Sequence, residues 1–315
     1  MWTIIVQVFP YAMAFTIPLL ITALGGLYSE RSGIVNIGLE GLMVVGFFTG
    51  ALVISKLELN MPGISIWLGL LAAFIAGALF SLLHAFACIS LNANQVISGT
   101  AINMIAGALT VFLARNITGS GNILIVHGLI RRDVPVLSDI PIVGRLFFTQ
   151  VYATTWLVLA LLAVSWFILY KTPFGLRLRA CGEHPQAADS AGINVYKMRY
   201  IAVMVSGAFA GLGGAIILVT YSGEFTGTVS GLGFLALAAL IFGQWKPLGV
   251  LGATLFFGFA STIANVSQVI PALSGIPGIL LKNFPYIVTL AVLVLSSKYS
   301  QAPRAAGEPY DKAKR

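Results

Sequence analysis

Hydrophobic residues fall in nine long runs, at about 4–24, 33–54, 64–90, 95–114, 151–170, 200–221, 232–245, 248–270 and 284–298. Roughly 20 apolar residues cross a hydrocarbon core about 30 Å thick as a helix. A helix also satisfies its own backbone polar groups, which lipid cannot do. The pattern therefore predicts an all-α polytopic bundle of about eight to ten spans with broken or re-entrant helices. The seventh run is short and ends at Gly243-Gln244-Trp245-Lys246-Pro247, as a half-helix or a strongly packed, broken one would. Before it, the small and polar stretch 222–233 reads either as an outer turn or as a re-entrant segment. Glu224, Phe225 and Thr226 then sit near the outer mouth, and Phe234 opens the short span. Phe234 reads either as core or as a ring that stacks on a planar ligand.

Composition strengthens this reading. Of 315 residues, 58% are hydrophobic and only 9% charged, against roughly 25% charged in soluble domains. Thirty-four glycines and 13 prolines point to closely packed, interrupted helices. A soluble enzyme, a disordered tail and a coiled coil are excluded.

The net charge of +8 then carries topology and not nucleic-acid affinity, because basic residues concentrate in cytoplasmic loops. If 171–199 and the C-terminal tail are cytoplasmic, that side holds twelve cations: Arg31, Lys171, Arg177, Arg179, Lys197, Arg199, Lys246, Lys298, Arg304, Lys312, Lys314 and Arg315. The other side holds six: Lys56, Arg115, Arg131, Arg132, Arg145 and Lys282. This predicts the N-terminus outside and the C-terminus inside. One transmembrane domain is expected over 1–298, with a cytoplasmic loop at 171–199, followed by a basic cytoplasmic tail at 299–315. The long segment 115–150 reads as a solvated connector or as a lid or docking surface.

Catalytic patterns are missing from the sequence. There is no G-x-x-x-x-G-K-[ST] loop, no H-E-x-x-H and no G-x-S-x-G elbow. His84, His127 and His184 are scattered, and Cys88 and Cys181 form no metal or redox pattern. No catalytic residue and no metal ligand is expected, which leaves transport.

Polar side chains inside spans are costly and default to functional hypotheses. Asn36 and Glu40 sit at i and i+4 and would share a helix face along a translocation path. The alternative is a helix-start role, with Glu40 pairing Arg31 or helix N-terminal amides. Asn103 lies deep in the fourth run, either on the path or as interhelical glue. Glu40 and Glu224 are the acids expected near membrane depth. Glycines at GxxxG spacing, Gly46/Gly50 and Gly207/Gly211, read as close helix packing inside the chain or as a dimer face.

The loop 171–199 contains its own small helix. Pro185 suits a first helical position and Gly192 suits the position past the end. Between them Gln186-Ala187-Ala188-Asp189-Ser190-Ala191 predicts about two turns, with Ala187, Ala188 and Ala191 on the surface. So short a helix needs packing on its own bundle or on a partner.

Three blocks of this sequence resemble the permeases of branched-chain amino acid/ribose-type ABC importers. Ser32-Gly33-Ile34-Val35-Asn36-Ile37-Gly38-Leu39-Glu40-Gly41 resembles the start of their core. Cys181-Gly182-Glu183-His184-Pro185-Gln186-Ala187-Ala188-Asp189-Ser190-Ala191-Gly192-Ile193 resembles their cytoplasmic coupling loop. The stretch 231–249, from Gly231-Leu232-Gly233-Phe234 to Trp245-Lys246-Pro247-Leu248-Gly249, is similar to the nucleoside-importing branch.

The resemblance implies a multi-pass permease of the bacterial inner membrane, set in lipid, with no cofactor of its own. It implies a cytoplasmic ABC ATPase using ATP-Mg, a second permease subunit, often a different chain, and an extracytoplasmic binding protein or lipoprotein. Gly182, Glu183, Pro185, Ala187, Ala188, Ala191 and Gly192 would couple to the ATPase. The expected cargo is a nucleoside, with branched-chain amino acids or a sugar as the alternative. A motor-independent channel or carrier is the reading from another class.

Overall fold

The computed structural model describes residues 2–266, 280, 283–284, 287–288 and 301–312. The expected ninth span, 284–298, lies essentially outside the described residues. The other eight runs each become a helix.

In chain order the main helices are α1 (Trp2–Arg31), α2 (Leu39–Leu57), α3 (Pro62–Ala85) and α4 (Gln95–Thr118). A short α5 (Val143–Phe147) precedes α6 (Ala153–Lys171). Two helices, α7 (Pro173–Glu183) and α8 (Pro185–Ser190), occupy the loop expected at 171–199. Then come α9 (Val195–Ile217), α10 (Leu232–Phe242) and α11 (Pro247–Val266). Single π-helical turns extend α3 and α9, at Phe86–Ser90 and Leu218–Ser222. Among the described residues, seven helices are long and apolar enough to cross a membrane, and α10 is the shorter apolar one.

The centre of the bundle is α9, which packs on α1, α2 and α3. In its span 83% of the apolar window is buried, against 22% in that of α4, so α9 is core and α4 is periphery. Glycine explains the close packing. A Cβ on Gly46 would strike the Gly211 carbonyl, one on Gly77 the Gly207 carbonyl, and one on Gly214 the Met43 carbonyl. In lipid, such backbone approach supplies the dispersion contacts that the hydrophobic effect supplies in water. Both GxxxG pairs therefore pack inside this chain.

The polar stretch after α9 forms a short strand paired with a distant segment, not a bare turn. A strand β1 (Ile123–Leu124) pairs antiparallel with β2 (Glu224–Phe225), in register Ile123 with Phe225 and Leu124 with Glu224. Phe225 is fully buried and meets Phe47 and Phe48 edge-on. At the opposite end of the bundle lie the end of α1, the helices α7 and α8, and residues 301–312.

Candidate translocation site

Four of the five sequence-derived pathway residues converge on one point. After α1 ends at Arg31, the chain turns back into the bundle through 32–38 before α2 begins. Asn36 lies in this turn and not on α2, so Asn36 and Glu40 do not form the expected i, i+4 helical stripe. Asn36 is fully buried. Its Nδ2 donates to Ser206 Oγ at 2.9 Å, and its Oδ1 accepts from the Gly38 amide at 3.1 Å. Asn103 reaches the same turn from α4: its Oδ1 accepts from the Gly41 amide at 2.7 Å, and its Nδ2 donates to the Ile37 carbonyl at 3.0 Å. It is interhelical glue.

Glu40 binds helix N-terminal amides, but those of α10 and not of its own helix. Its Oε1 accepts from the Gly231 amide at 2.7 Å and its Oε2 from the Gly233 amide at 2.6 Å. A carboxylate at a helix N-terminus satisfies orphan donors and meets the positive end of the helix dipole. Gly233 is required here, because a Cβ would strike the Glu40 backbone. Gly231 caps the helix in the left-handed region, at φ +82°. One residue beyond Gly233, Phe234 is 48% exposed.

The cluster sits near mid-depth. At about 1.5 Å per residue, Asn103 is ~12 Å from the start of α4, Ser206 ~16 Å from the start of α9, and Gly233 ~14 Å from the end of α10. Half of the hydrocarbon thickness is about 15 Å. Two helices, α2 and α10, thus begin inside the bundle and meet through Glu40. Broken helices whose N-termini open near the midplane are a common way to build a substrate site in transporters.

The far end of α10 is also anchored. Arg31 donates through Nε and Nη2 to the Trp245 carbonyl at 3.0 and 2.7 Å, and the Trp245 indole donates to the Glu30 carboxylate. Gln244 and Trp245 both hold positive φ, +53° and +51°, a strained pair kept by surrounding contacts. Glu30 and Arg31 at one end and Glu40 at the other therefore grip α10. Glu224 is not part of the cluster. It lies on β2, where its carbonyl accepts from Ser222 Oγ at 2.7 Å.

Of the coupling residues expected at 182–192, Glu183, Ala187, Ala191 and Gly192 are exposed, and Gly182, Pro185 and Ala188 are buried. Pro185 starts α8 at its first turn, and Gly192 follows it at φ +81°. Ala187 and Ala191 are exposed, but Ala188 is buried and faces the body of the bundle, correcting the expectation that all three are on the surface. The six-residue α8 needs that inward contact to hold its place. Gly182 is buried, and a Cβ there would strike the Arg31 carbonyl. Glu183 lies 3.7 Å from Arg31. Cys181 is fully buried, and burial pushes its thiol up to about 11, so it has little thiolate at neutral pH.

A family model described as branched-chain amino acid transport system / permease component matches residues 9–297. The chain belongs to this permease family. It is 50% identical to the guanosine ABC transporter permease protein NupQ of Bacillus subtilis (strain 168), over 97% of each chain. It is 43% identical to the nucleoside ABC transporter permease protein NupC of Lactococcus lactis subsp. cremoris (strain MG1363), over 96% of each chain. It is also 28% identical to a second guanosine ABC transporter permease protein of the same Bacillus, NupP, over 90% of this chain and 79% of that one.

As a member of the permease family, the chain is a transport component and not an enzyme, and a multi-pass protein of the plasma membrane. The family implies no cofactor in this chain. Among the described residues, no group of three or more His, Cys, Asp or Glu could hold a metal ion.

Several residues of the permease escaped the sequence reading. Glu30 and Glu58 are buried acids too, at 5% and 4% exposure. Glu58 accepts from the Val126 and His127 amides at 2.9 and 3.0 Å. Each of these acids is occupied by donors of the chain. Ser206 and Trp245 looked like ordinary members of apolar runs. A lone acid at the edge of an apolar run was the available signal for Glu30 and Glu58.

Proposed function

We propose that this permease is one of two membrane subunits of an ATP-driven nucleoside importer. The observation that carries the reading is the 50% identity, over nearly the whole chain, to a permease named for guanosine. The second relative is named for nucleosides as well. The geometry supports it: Phe234 offers an exposed ring beside the midplane start of α10, suited to stacking on a planar base. The buried acids already have donors, so no carboxylate stands free there for an ammonium group.

The second subunit is a different chain, because one Bacillus has two guanosine permease proteins that this chain resembles unequally. It covers the side of the cluster lined by α4 and α10, where Ile97 and Met104 are exposed at 69% and 76%. A cytoplasmic ATPase, using ATP-Mg, docks on Ala187 of α8 and on Ala191 at its end, beside Glu183. An extracytoplasmic binding protein or lipoprotein delivers cargo to the face that carries β1 and β2. The N-terminus is outside and the C-terminus inside. ATP-driven movement of α8 biases the two bundles between outward and inward states.

The test is uptake by a nucleoside-auxotrophic bacterium carrying the permease with its partner genes. Labelled guanosine or uridine should accumulate and depend on ATP. Accumulation of leucine, ribose or glucose with no nucleoside uptake would reject the assignment. Uptake without any ATPase would make the chain a motor-independent carrier.

A further inference from the structure

Residues 301–312, expected as a basic tail, are instead packed against the coupling end of the bundle. Pro303, Ala305 and Tyr310 are buried. The Ala305 amide donates to the Gly182 carbonyl at 2.9 Å, which ties the segment to the end of α7. The Gly307 amide donates to the Gly33 carbonyl at 3.1 Å, which ties it to the turn between α1 and α2. Arg199 of α9, 1% exposed, donates through Nε to the Ser32 carbonyl and through Nη1 to the Glu308 carbonyl, both at 3.2 Å. Its guanidinium lies 5.9 Å from the Tyr310 ring, which packs on Tyr196 with centroids 5.4 Å apart. Lys312 lies 3.9 Å from Asp189 of α8.

The helix α8 is short. It has six residues, buries only Pro185 and Ala188, and packs on α7 and α9. The same turn that receives the strap at Gly33 carries Asn36 and leads into Glu40, which holds the start of α10. A continuous line of contacts therefore runs from α8, through 301–312, to the turn at 32–38 and on to the midplane cluster.

We propose that residues 301–312 form a positioning strap, with Tyr310 and Lys312 as its anchors, that ties the docking helix α8 to the turn at 32–38 and carries α8 movement toward α10. The proposal rests on α8 being the docking helix. A tail that served only as an orientation signal would need its charges but none of these buried contacts. The exposed Lys312–Asp189 pair adds little on its own, so the buried Tyr310 is the main anchor.

The test uses the full permease and the native Cys181, which neighbours the strap contact at Gly182. In Tyr310→Ala/Lys312→Glu, alkylation of Cys181 by N-ethylmaleimide, read by peptide mass spectrometry, should accelerate at least about tenfold, as local opening of that corner requires. In proteoliposomes with the ATPase, partner permease and binding protein, guanosine imported per ATP hydrolysed should fall at least about fivefold while ATPase capture persists. Lys312→Glu alone, which leaves the buried ring in place, should give a smaller drop in the same ratio. Unchanged Cys181 labelling, or faster labelling with an unchanged ratio, overturns the strap. Failure of the docking reading is visible separately: Ala187→Trp would then leave ATPase capture and uptake intact, whatever the strap variant does to Cys181.

Discussion

At the scale of single residues, Glu40 has the clearest energetic consequence. Its two hydrogen bonds satisfy amides that α10 cannot satisfy itself. Hydrogen bonds to a charged group contribute about 1.5–3 kcal/mol each, and a buried donor left alone costs about as much. Glu40→Ala should therefore lower the unfolding temperature in detergent and reduce guanosine uptake at least about tenfold, since 1.4 kcal/mol already corresponds to that factor. Glu40→Gln keeps one acceptor oxygen and places an NH2 against the other donor, so it should retain less than the native protein but more than the alanine variant. Wild-type uptake and melting in Glu40→Ala would remove Glu40 from the support of α10. Very little of this was legible from Glu40 itself. The spacing to Asn36 suggested a helical stripe, but Gly33 at φ +96° and the turn after it take Asn36 off the helix. The partners Gly231 and Gly233 lie more than 190 positions away, and no local pattern announces a contact at that separation.

Elements were more legible than contacts, because each obeys a local rule. Eight apolar runs became helices, since twenty apolar residues in lipid have few other ways to satisfy their backbone. Pro185 and Gly192 marked α8 by the chemistry of helix ends. The side of α8 that faces inward was not legible, because Ala187, Ala188 and Ala191 are alike in size and polarity, and tertiary packing alone separates Ala188. The packing of 301–312 was not legible for a related reason: its charges dominate the composition and mask the buried Ala305 and Tyr310. Helix packing gives a paired prediction. Gly46→Ala drives a methyl group into the Gly211 carbonyl and must push α2 away from α9. Overpacking of this kind typically costs about 1–3 kcal/mol or more, so the variant should melt lower and accumulate poorly in membranes. Gly252→Ala, in α11 with open space around it, should be neutral or stabilising by up to about 1 kcal/mol. Equal melting temperatures for the two variants would contradict the close α2–α9 approach.

At the scale of the whole molecule, the two ends of the bundle differ in chemistry, and orientation decides which partner each end meets. The α8 end holds Arg31, Lys171, Arg177, Arg179, Lys197, Arg199, Lys246, Arg304 and Lys312 among the described residues, and the end with β1 and β2 holds Lys56, Arg115, Arg131, Arg132 and Arg145. Two of the first group are structural: Arg199 is buried, and Arg31 is bonded to the Trp245 carbonyl. Lys171 and Arg179, by contrast, sit over Trp166 and Tyr170, as cations at a membrane interface do. On the other face Arg131 is likewise stacked, over Tyr11 and Tyr152. Charge alone therefore favours α8 inside by a narrower margin than a count along the sequence suggests. The ATPase supplies the stronger argument, because its ATP is cytoplasmic and its proposed dock is α8. Ser120→Cys and Ser190→Cys place exposed thiols at the two ends, over a quiet background, because Cys88 and Cys181 are both buried. In intact cells a membrane-impermeant maleimide should label the first and reach the second only after permeabilisation. The opposite pattern would put α8 outside the cell, and no ATP-driven subunit could then act on it.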